Sequence, residues 1–414
     1  MSLRTQCRAF TKANLVKTWL HSKDSTLNAG KPGIDGITAQ QFAARLDSNI
    51  ANLAKAIRNG QYGPSPLRAV LIPKPNSKND RLICIPTIQD RIVQRALMGY
   101  LASGSRLRIS RASSYGFLPG RGVRNAISDA LELRTNLRWC VKTDIESFFD
   151  SIPRDQLKDR IERALPRNSV TPLLKRFVDC EVKEDRRLRA ELAARGIKRG
   201  VGLRQGMPLS PLLSNFVLAP FDFHVERRRL KMVRYADDII LFFESKAEAQ
   251  AGLQFVRDDL LALGFTIPDL DDHSKTKLVA PTESVEFLGR ELRVAPGGFG
   301  YVSAVSHKQI AKIKQRLESE FNFSTQSDRG MTFQDSVVTL TRSICSYLGI
   351  YKDAYNFTLL DSALRGSMRD ILESIFQDIF GESVLENVND RARTYLGFGK
   401  LELPDPVNDI EDLA

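Results

Sequence analysis

Residues 232–243 read MVRYADDIILFF. Two adjacent acids, Asp237 and Asp238, sit between apolar runs, a pattern that predicts two short strands about a tight turn at Ala236–Asp237. Carboxylates buried beside such strands cost several kcal/mol unless a cation compensates them. A turn also sets them at strand ends, within reach of solvent and substrate. By itself the pair admits two readings, a surface Asp-Asp hairpin turn or a metal-binding turn.

A third acid bears on that choice. The run RWCVKT (138–143) predicts a strand that ends at Asp144, followed by IESFFDSIP (145–153). Asp144 can be read as an ordinary strand-end residue. It can also be read together with the turn, because two-metal phosphoryl transfer needs carboxylates from separate strands converging on Mg²⁺ ions about 4 Å apart. Hard Mg²⁺ prefers such oxygen ligands.

Around these acids the chain of 414 residues has room for two or three domains. Its formal net charge of +12 favours a polyanionic partner, since Lys and Arg displace counterions from phosphates. The basic runs lie at 183–204 (KEDRRLRAELAARGIKRGVGLR) and 227–234 (RRRLKMVR), whereas 381–414 is acidic. Cys7, Cys84, Cys140, Cys180 and Cys345 are scattered and form no Cys-x-x-Cys pair, so no structural zinc site is expected. No apolar run is long enough to span a bilayer, and the N-terminus lacks the apolar core of a secretory signal. A cytoplasmic protein without a membrane partner is the expectation.

Thr38 reads as a helix N-cap with Gln41 placed for a capping box, opening a helix over 39–58 that Gly60, Gly63, Pro64 and Pro66 end. Strand-like runs at 68–72 and 81–85 flank PKPNSKND (73–80) as a hairpin. Helices are predicted over 87–101, from Pro208 through Ala219, and over 247–263, where Gly264 stops the last. Beyond Ser306 the pattern is almost wholly helical, as at 308–321 and 336–348, and the Gly-rich turn 296–300 marks the boundary.

Seven blocks in order now carry a resemblance. YADD (235–238) resembles the signature turn of reverse transcriptases, and DIESFFDSIP (144–153) resembles their first catalytic motif. IPKPNSKNDRLICIPTIQDRIVQ (72–94) is similar to the fingers block, and GLRQGMPLSPLLSN (202–215) to the block under the nascent base pair. SYGFLPGRG (114–122) resembles the Tyr-Gly-Phe-x-Pro-Gly-Arg motif of bacterial and group II intron-like enzymes, and GIDGIT (33–38) and SKTKLV…FLG (274–289) complete the set.

The resemblance implies an α+β right-hand polymerase with fingers, a palm bearing an antiparallel sheet, and a helical thumb. Interleaved fingers and palm would occupy 1–305. A helical thumb-like domain with an acidic C-terminal tail would occupy 306–414. Asp144 and Asp237 would be the principal metal ligands, with Asp238 supporting and the Ile145 carbonyl adding a contact. The implied cofactor is two Mg²⁺ ions, with Mn²⁺ as a substitute; one would activate the primer 3′-hydroxyl and the other hold the leaving pyrophosphate. Lys74 and Arg81 would grip the incoming triphosphate, a task suited to the forked guanidinium. Phe149 would select deoxynucleotides by colliding with a ribose 2′-hydroxyl, unless it is the core aromatic of the Phe148–Phe149 pair. Gln205 and Gly206 would lie beneath the templating base pair, and Gly206 would permit close backbone approach. Lys275 would be the general acid for pyrophosphate, or else a surface lysine.

The implied activity is RNA-directed DNA synthesis, with an RNA template (a dedicated noncoding RNA is one candidate), dNTPs and a DNA product. The chain shows no His/Cys cluster for an intron-type nuclease, and GYVSAVSH (300–307) lacks the retron thumb motifs. The expectation is therefore a stand-alone enzyme of the group II intron-like lineage acting in bacterial antiviral defence. Untemplated or protein-primed DNA synthesis on the same palm is one alternative. An intron maturase-type RNA-binding protein is another, and an RNA-dependent RNA polymerase a third.

Overall fold

The computed structural model describes residues 8–22, 31–72, 81–102, 107, 109, 112–165, 170–184, 186–271 and 274–381. The chain forms two compact units, one of 1–126 with 140–278 and the other of 127–139 with 279–414. Runs of helices separate antiparallel strand pairs without a regular βαβ alternation, which makes the fold α+β.

The first unit holds two sheets. Strands β1 (Arg68–Ile72) and β2 (Arg81–Ile85) pair antiparallel, from Arg68 opposite Ile85 to Ile72 opposite Arg81. The predicted hairpin strands thus exist at the expected positions, while the connecting 73–80, Lys74 included, lies outside the described residues. The second sheet is made by β3 (Trp139–Asp144), β4 (Lys231–Tyr235), β5 (Asp238–Phe243) and β6 (Lys277–Val279), in the order β4-β5-β3-β6. All five residues after Asp238 in β5 are buried, so this strand is covered on both faces. The helix Leu209–Arg227 packs on β4 and is itself buried nearly all round, as its continuous apolar sequence requires. The helix Lys246–Ala262 packs on β5, where Gly252 leaves the space that the Phe243 ring fills.

Thr38 caps its helix as expected, with the full capping box to Gln41. The single helix predicted over 39–58 is instead two, Ala39–Ala43 and Leu46–Arg58. Arg45, at φ −129° and ψ 37°, breaks the run. The Asn49 side chain donates to the Phe42 carbonyl (3.0 Å), serving an acceptor that the break exposes. Neither residue is a helix breaker by type, which is why spacing alone ran the two helices together.

In the second unit, β7 (Val285–Phe287), β8 (Arg290–Val294) and β9 (Tyr301–Ala304) form a meander. The helices His307–Glu320, Phe333–Tyr351 and Phe357–Phe380 share a core of Ile310, Leu317, Leu340, Ile344, Leu364 and Ile371. The sequence reading divides the chain at 305/306, but the sheet belongs with these helices. Arg290, 1% exposed, donates to the Ile350 carbonyl (2.7 Å) and to Asp353 Oδ1 (2.5 Å). Asn356 bonds both the backbone N–H and the carbonyl of Val305. Ile344→Ala should lower the stability of this unit by about 2–5 kcal/mol through the cavity it leaves, as read by chemical denaturation.

Candidate active site

The site is built on the β4–β5 turn. Tyr235 pairs with Asp238, leaving Ala236 and Asp237 as the two turn residues, with Ala236 at φ 57°. A left-handed alanine needs outside support, and Arg234 supplies it. This fully buried guanidinium donates from Nη1 to the Ala236 carbonyl (2.8 Å) and to Asn215 Oδ1 (3.2 Å). Nε and Nη2 grip both oxygens of the equally buried Asp222, at 2.7 and 2.6 Å, and Nη2 also reaches Ser114 Oγ at 2.8 Å. Asn215 in turn donates to the Gly116 carbonyl (2.7 Å). Parts of three sequence blocks therefore converge behind the turn. Asp222→Ala would strand the guanidinium in the core and should destabilise the protein by about 3–5 kcal/mol in denaturant titration.

The neighbouring strand β3 brings the third acid. Side chains alternate along it, so Lys142 and Asp144 share a face while Thr143 points the other way, buried and hydrogen-bonded to Thr276 (2.8 Å). The backbone N–H of Ile145 donates to the Asp237 carbonyl (3.3 Å), which ties the end of β3 to the turn. Lys275 pairs with Asp144, and Lys142 pairs with Asp238. Burial, then the charge of Asp144 and that of Asp238, push the Asp237 carboxyl up to about 6, with its own backbone hydrogen bond and Lys275 offsetting part of the rise. Burial works against the charged form of Lys275, but the hydrogen bond and charge of Asp144 outweigh it and raise its affinity for the proton.

An acid with its proton affinity raised by burial and by neighbouring acids is the setting a hard cation relieves, by replacing the proton. Among the described residues no three Asp, Glu, His or Cys side chains stand close enough to form a metal cage. Mg²⁺ does not need one, since it is held by one or two carboxylates together with water and substrate phosphates. Asp144 and Asp237, from adjacent strand ends and with Asp238 beside them, fit that donor set.

In front of the turn lies a cleft of about 640 Å³, lined by Phe149, Gln205, Gly206, Asp237, Phe117 and Arg95 among others. The Phe148–Phe149 choice resolves here. Phe148 is buried against Phe265, with ring centroids 5.3 Å apart, and Phe149 is left facing the cleft. The loop before the Leu209 helix stitches the cleft walls together: Leu203 N–H donates to the Phe149 carbonyl and Cys84 N–H to the Gln205 carbonyl, both at 2.7 Å. A second cleft, about 610 Å³, is bordered by 63–66 and 179–184, and its acids are already paired, Asp179 with Lys158, Glu181 with Arg154 and Arg204, and Glu184 with Arg189.

The structure thus brings together Asp144, Ile145, Asp237, Asp238 and Lys275, and sets Phe149, Gln205 and Gly206 along the adjoining cleft. Arg81 opens β2, but its side chain is not among those described. Sequence reasoning missed Lys142, the group of Arg234, Asp222 and Asn215, and the cleft residues Phe117 and Arg95. A signal existed for Arg234: a charged residue inside an apolar strand must be exposed or paired, and its strand neighbours Met232 and Val233 are core residues.

Comparison with known proteins adds to this geometry. Residues 72–292, more than half of the chain, match the family model described as reverse transcriptase (RNA-dependent DNA polymerase). Protein YkfC of Escherichia coli (strain K12) is 29% identical over 321 residues, which are 68% of this chain and 81% of YkfC. Group II intron-encoded protein LtrA of Lactococcus lactis subsp. cremoris is 29% identical over 216 residues, 52% of this chain and 34% of LtrA. The chain thus spans about a third of LtrA. Among solved structures, apo telomerase from Candida tropicalis, truncated from its C-terminal domain, aligns at 14% identity and a TM-score of 0.40, covering 65% of this chain and 61% of that one.

Proposed function

The chain belongs to the reverse transcriptase family of RNA-directed DNA polymerases, and from that premise we propose that its cleft copies an RNA template into DNA with dNTPs as substrates. The observation that carries this reading is the juxtaposition of Asp144 with the Asp237–Asp238 turn at the mouth of a cleft lined by Phe149, Gln205 and Gly206. Asp144 and Asp237, with Asp238 and the Ile145 carbonyl in support, would hold two Mg²⁺ ions, for which Mn²⁺ can substitute. When bound, the ions would supply an activated primer 3′-hydroxyl and charge stabilisation at the triphosphate. Arg234 fixes the turn that aims Asp237. Lys142 neutralises Asp238. Lys275, which pairs with Asp144, would give a proton to the departing pyrophosphate.

Phe149 would close the sugar side of the cleft. Phe149→Ala should raise ribonucleotide incorporation by about 10²-fold, the scale of a lost steric contact in a specificity pocket. Single-nucleotide extension with dNTP and rNTP in competition reads it, and unchanged rejection would remove Phe149 from this role. The activity itself is tested by primer extension on a defined RNA template. Synthesis that survives ribonuclease pretreatment of the template would overturn the templated reading in favour of untemplated or protein-primed synthesis.

The defence setting and cytoplasmic location belong to the proposal and rest on the sequence blocks and composition. Cells carrying the gene with its native flanks should plate phage less well than cells carrying Asp237→Asn, and equal plating would discard the defence setting.

A further inference from the structure

Phe117 combines three properties that packing does not explain. It has φ 59°, where a bulky side chain is a true outlier. It is 47% exposed. It also lines the cleft that holds Asp237, Phe149 and Gln205.

The strain has a local origin. Tyr115 N–H donates to the Arg234 carbonyl (2.9 Å), and the Gly116 carbonyl accepts from buried Asn215 (2.7 Å). Gly116 lies so close to the turn that a Cβ there would meet the Ala236 nitrogen at 2.6 Å. The backbone is therefore held against the catalytic turn on one side, and the next residue must swing into the left-handed region to leave it. Glycine would do this without strain. The chain instead carries an aromatic ring, with its centroid 6.1 Å from that of Tyr235 and much of its surface open to the cleft. Strain held at such a place points to a function.

We propose that Phe117 is a nucleobase-contacting residue of the polymerisation cleft, its ring packing on a base at the primer terminus or at the templating position. An aromatic face suits any base, because every base has a π-face, and so supports sequence-independent grip. This inference rests on the function proposed above.

Photocrosslinking tests it on the full chain with an RNA template and a DNA primer. One duplex carries 5-iododeoxyuridine as the primer 3′-terminal base, and the other carries 5-iodouridine at the first unpaired template position. Irradiation of the wild type should crosslink one of the two, with the adduct mapping to Phe117, and the reactive arm identifies the base. Phe117→Tyr should keep the crosslink and Phe117→Leu should lose it. In steady state, Phe117→Leu and Phe117→Gly should raise KM for template–primer about tenfold with a smaller change in kcat, the scale of one lost base–aromatic stack. Phe117→Gly should also raise the melting temperature of the free protein, because the strain is relieved.

A crosslink that maps elsewhere, or an unchanged KM in both variants, overturns the inference. So does a fall in melting temperature for Phe117→Gly, since the ring would then be serving the fold. If the wild type extends primers and these outcomes still appear, only the Phe117 inference fails. If the wild type neither binds nor extends the duplex, the polymerase reading fails and the inference falls with it.

Discussion

Asp237→Asn should slow nucleotide addition by at least about 10³-fold and, above pH 7 without divalent metal, make the protein more stable. The two effects share one cause. Asp237 is half-buried beside Asp144 and Asp238, and its carboxyl is pushed up to about 6 from an ordinary value of 3.8. A carboxyl with a raised folded-state pKa binds its proton more tightly in the folded than in the unfolded chain. Stability is therefore greatest below the unfolded value, falls as pH rises through about 6, and stays low above it. At pH 7 the ionised Asp237 costs on the order of a few kcal/mol relative to a neutral isostere. Asparagine removes that penalty and the pH dependence with it.

Asparagine also removes the charge that would hold the catalytic cation, and electrostatic stabilisation by such ions is the largest contribution expected in phosphoryl transfer. Denaturant titrations at pH 5 and pH 8, with EDTA and with Mg²⁺, read the stability side. The variant's advantage should appear at pH 8 in EDTA, shrink at pH 5, and shrink again as Mg²⁺ stabilises the wild type through binding. Primer extension reads the rate. An Asp237→Asn protein no more stable than wild type at pH 8 in EDTA would mean that the carboxylate is already compensated, and the metal reading of the turn would lose its electrostatic basis.

Much of this site was legible in the sequence because its elements are local. The β4–β5 turn follows from two acids between apolar runs, and the strand ending at Asp144 from one such run. Both depend only on side-chain period and turn chemistry. The Thr38 capping box is local in the same sense. The rest depends on contacts between residues far apart in the chain. Lys142 looks like any strand lysine until β5 places Asp238 beside it. Arg234 and Asp222 are 12 residues apart, one on a strand and one on a helix, and their pairing exists only once both are packed. Phe117 could not have been singled out from its neighbours, since the bonds that hold the backbone just before it join Tyr115 to Arg234 and Gly116 to Asn215, far along the chain. The division between the units was likewise hidden, because β7–β9 reads as more strand after a sheet, while Arg290 and Asn356 join it to the helices that follow.

Gly206→Ala should lower kcat/KM for the incoming nucleotide about 10²-fold or more. Gly206 has φ 104°, outside what an L side chain adopts without strain, and an added Cβ would collide with the backbone carbonyl of Cys84. Backbone cannot rotate aside as a flexible side chain can, so the loop or β2 must move. The same loop carries the bond from Cys84 N–H to the Gln205 carbonyl and that from Leu203 N–H to the Phe149 carbonyl. A shift at Gly206 is thus transmitted to Gln205 and Phe149, the two side chains proposed to face the base pair and the sugar. Displacements of about 1 Å in such positioning groups cost roughly 10²-fold in rate. Gly63→Ala is the matched control: nothing lies within 4 Å of its added Cβ, and stability should change by less than about 0.5 kcal/mol with activity intact. Pre-steady-state single-nucleotide addition by the two variants decides the matter. If Gly206→Ala adds nucleotides at the wild-type rate and affinity, the loop does not set the cleft, and Gln205 and Phe149 are held by something other than the backbone bonds described above.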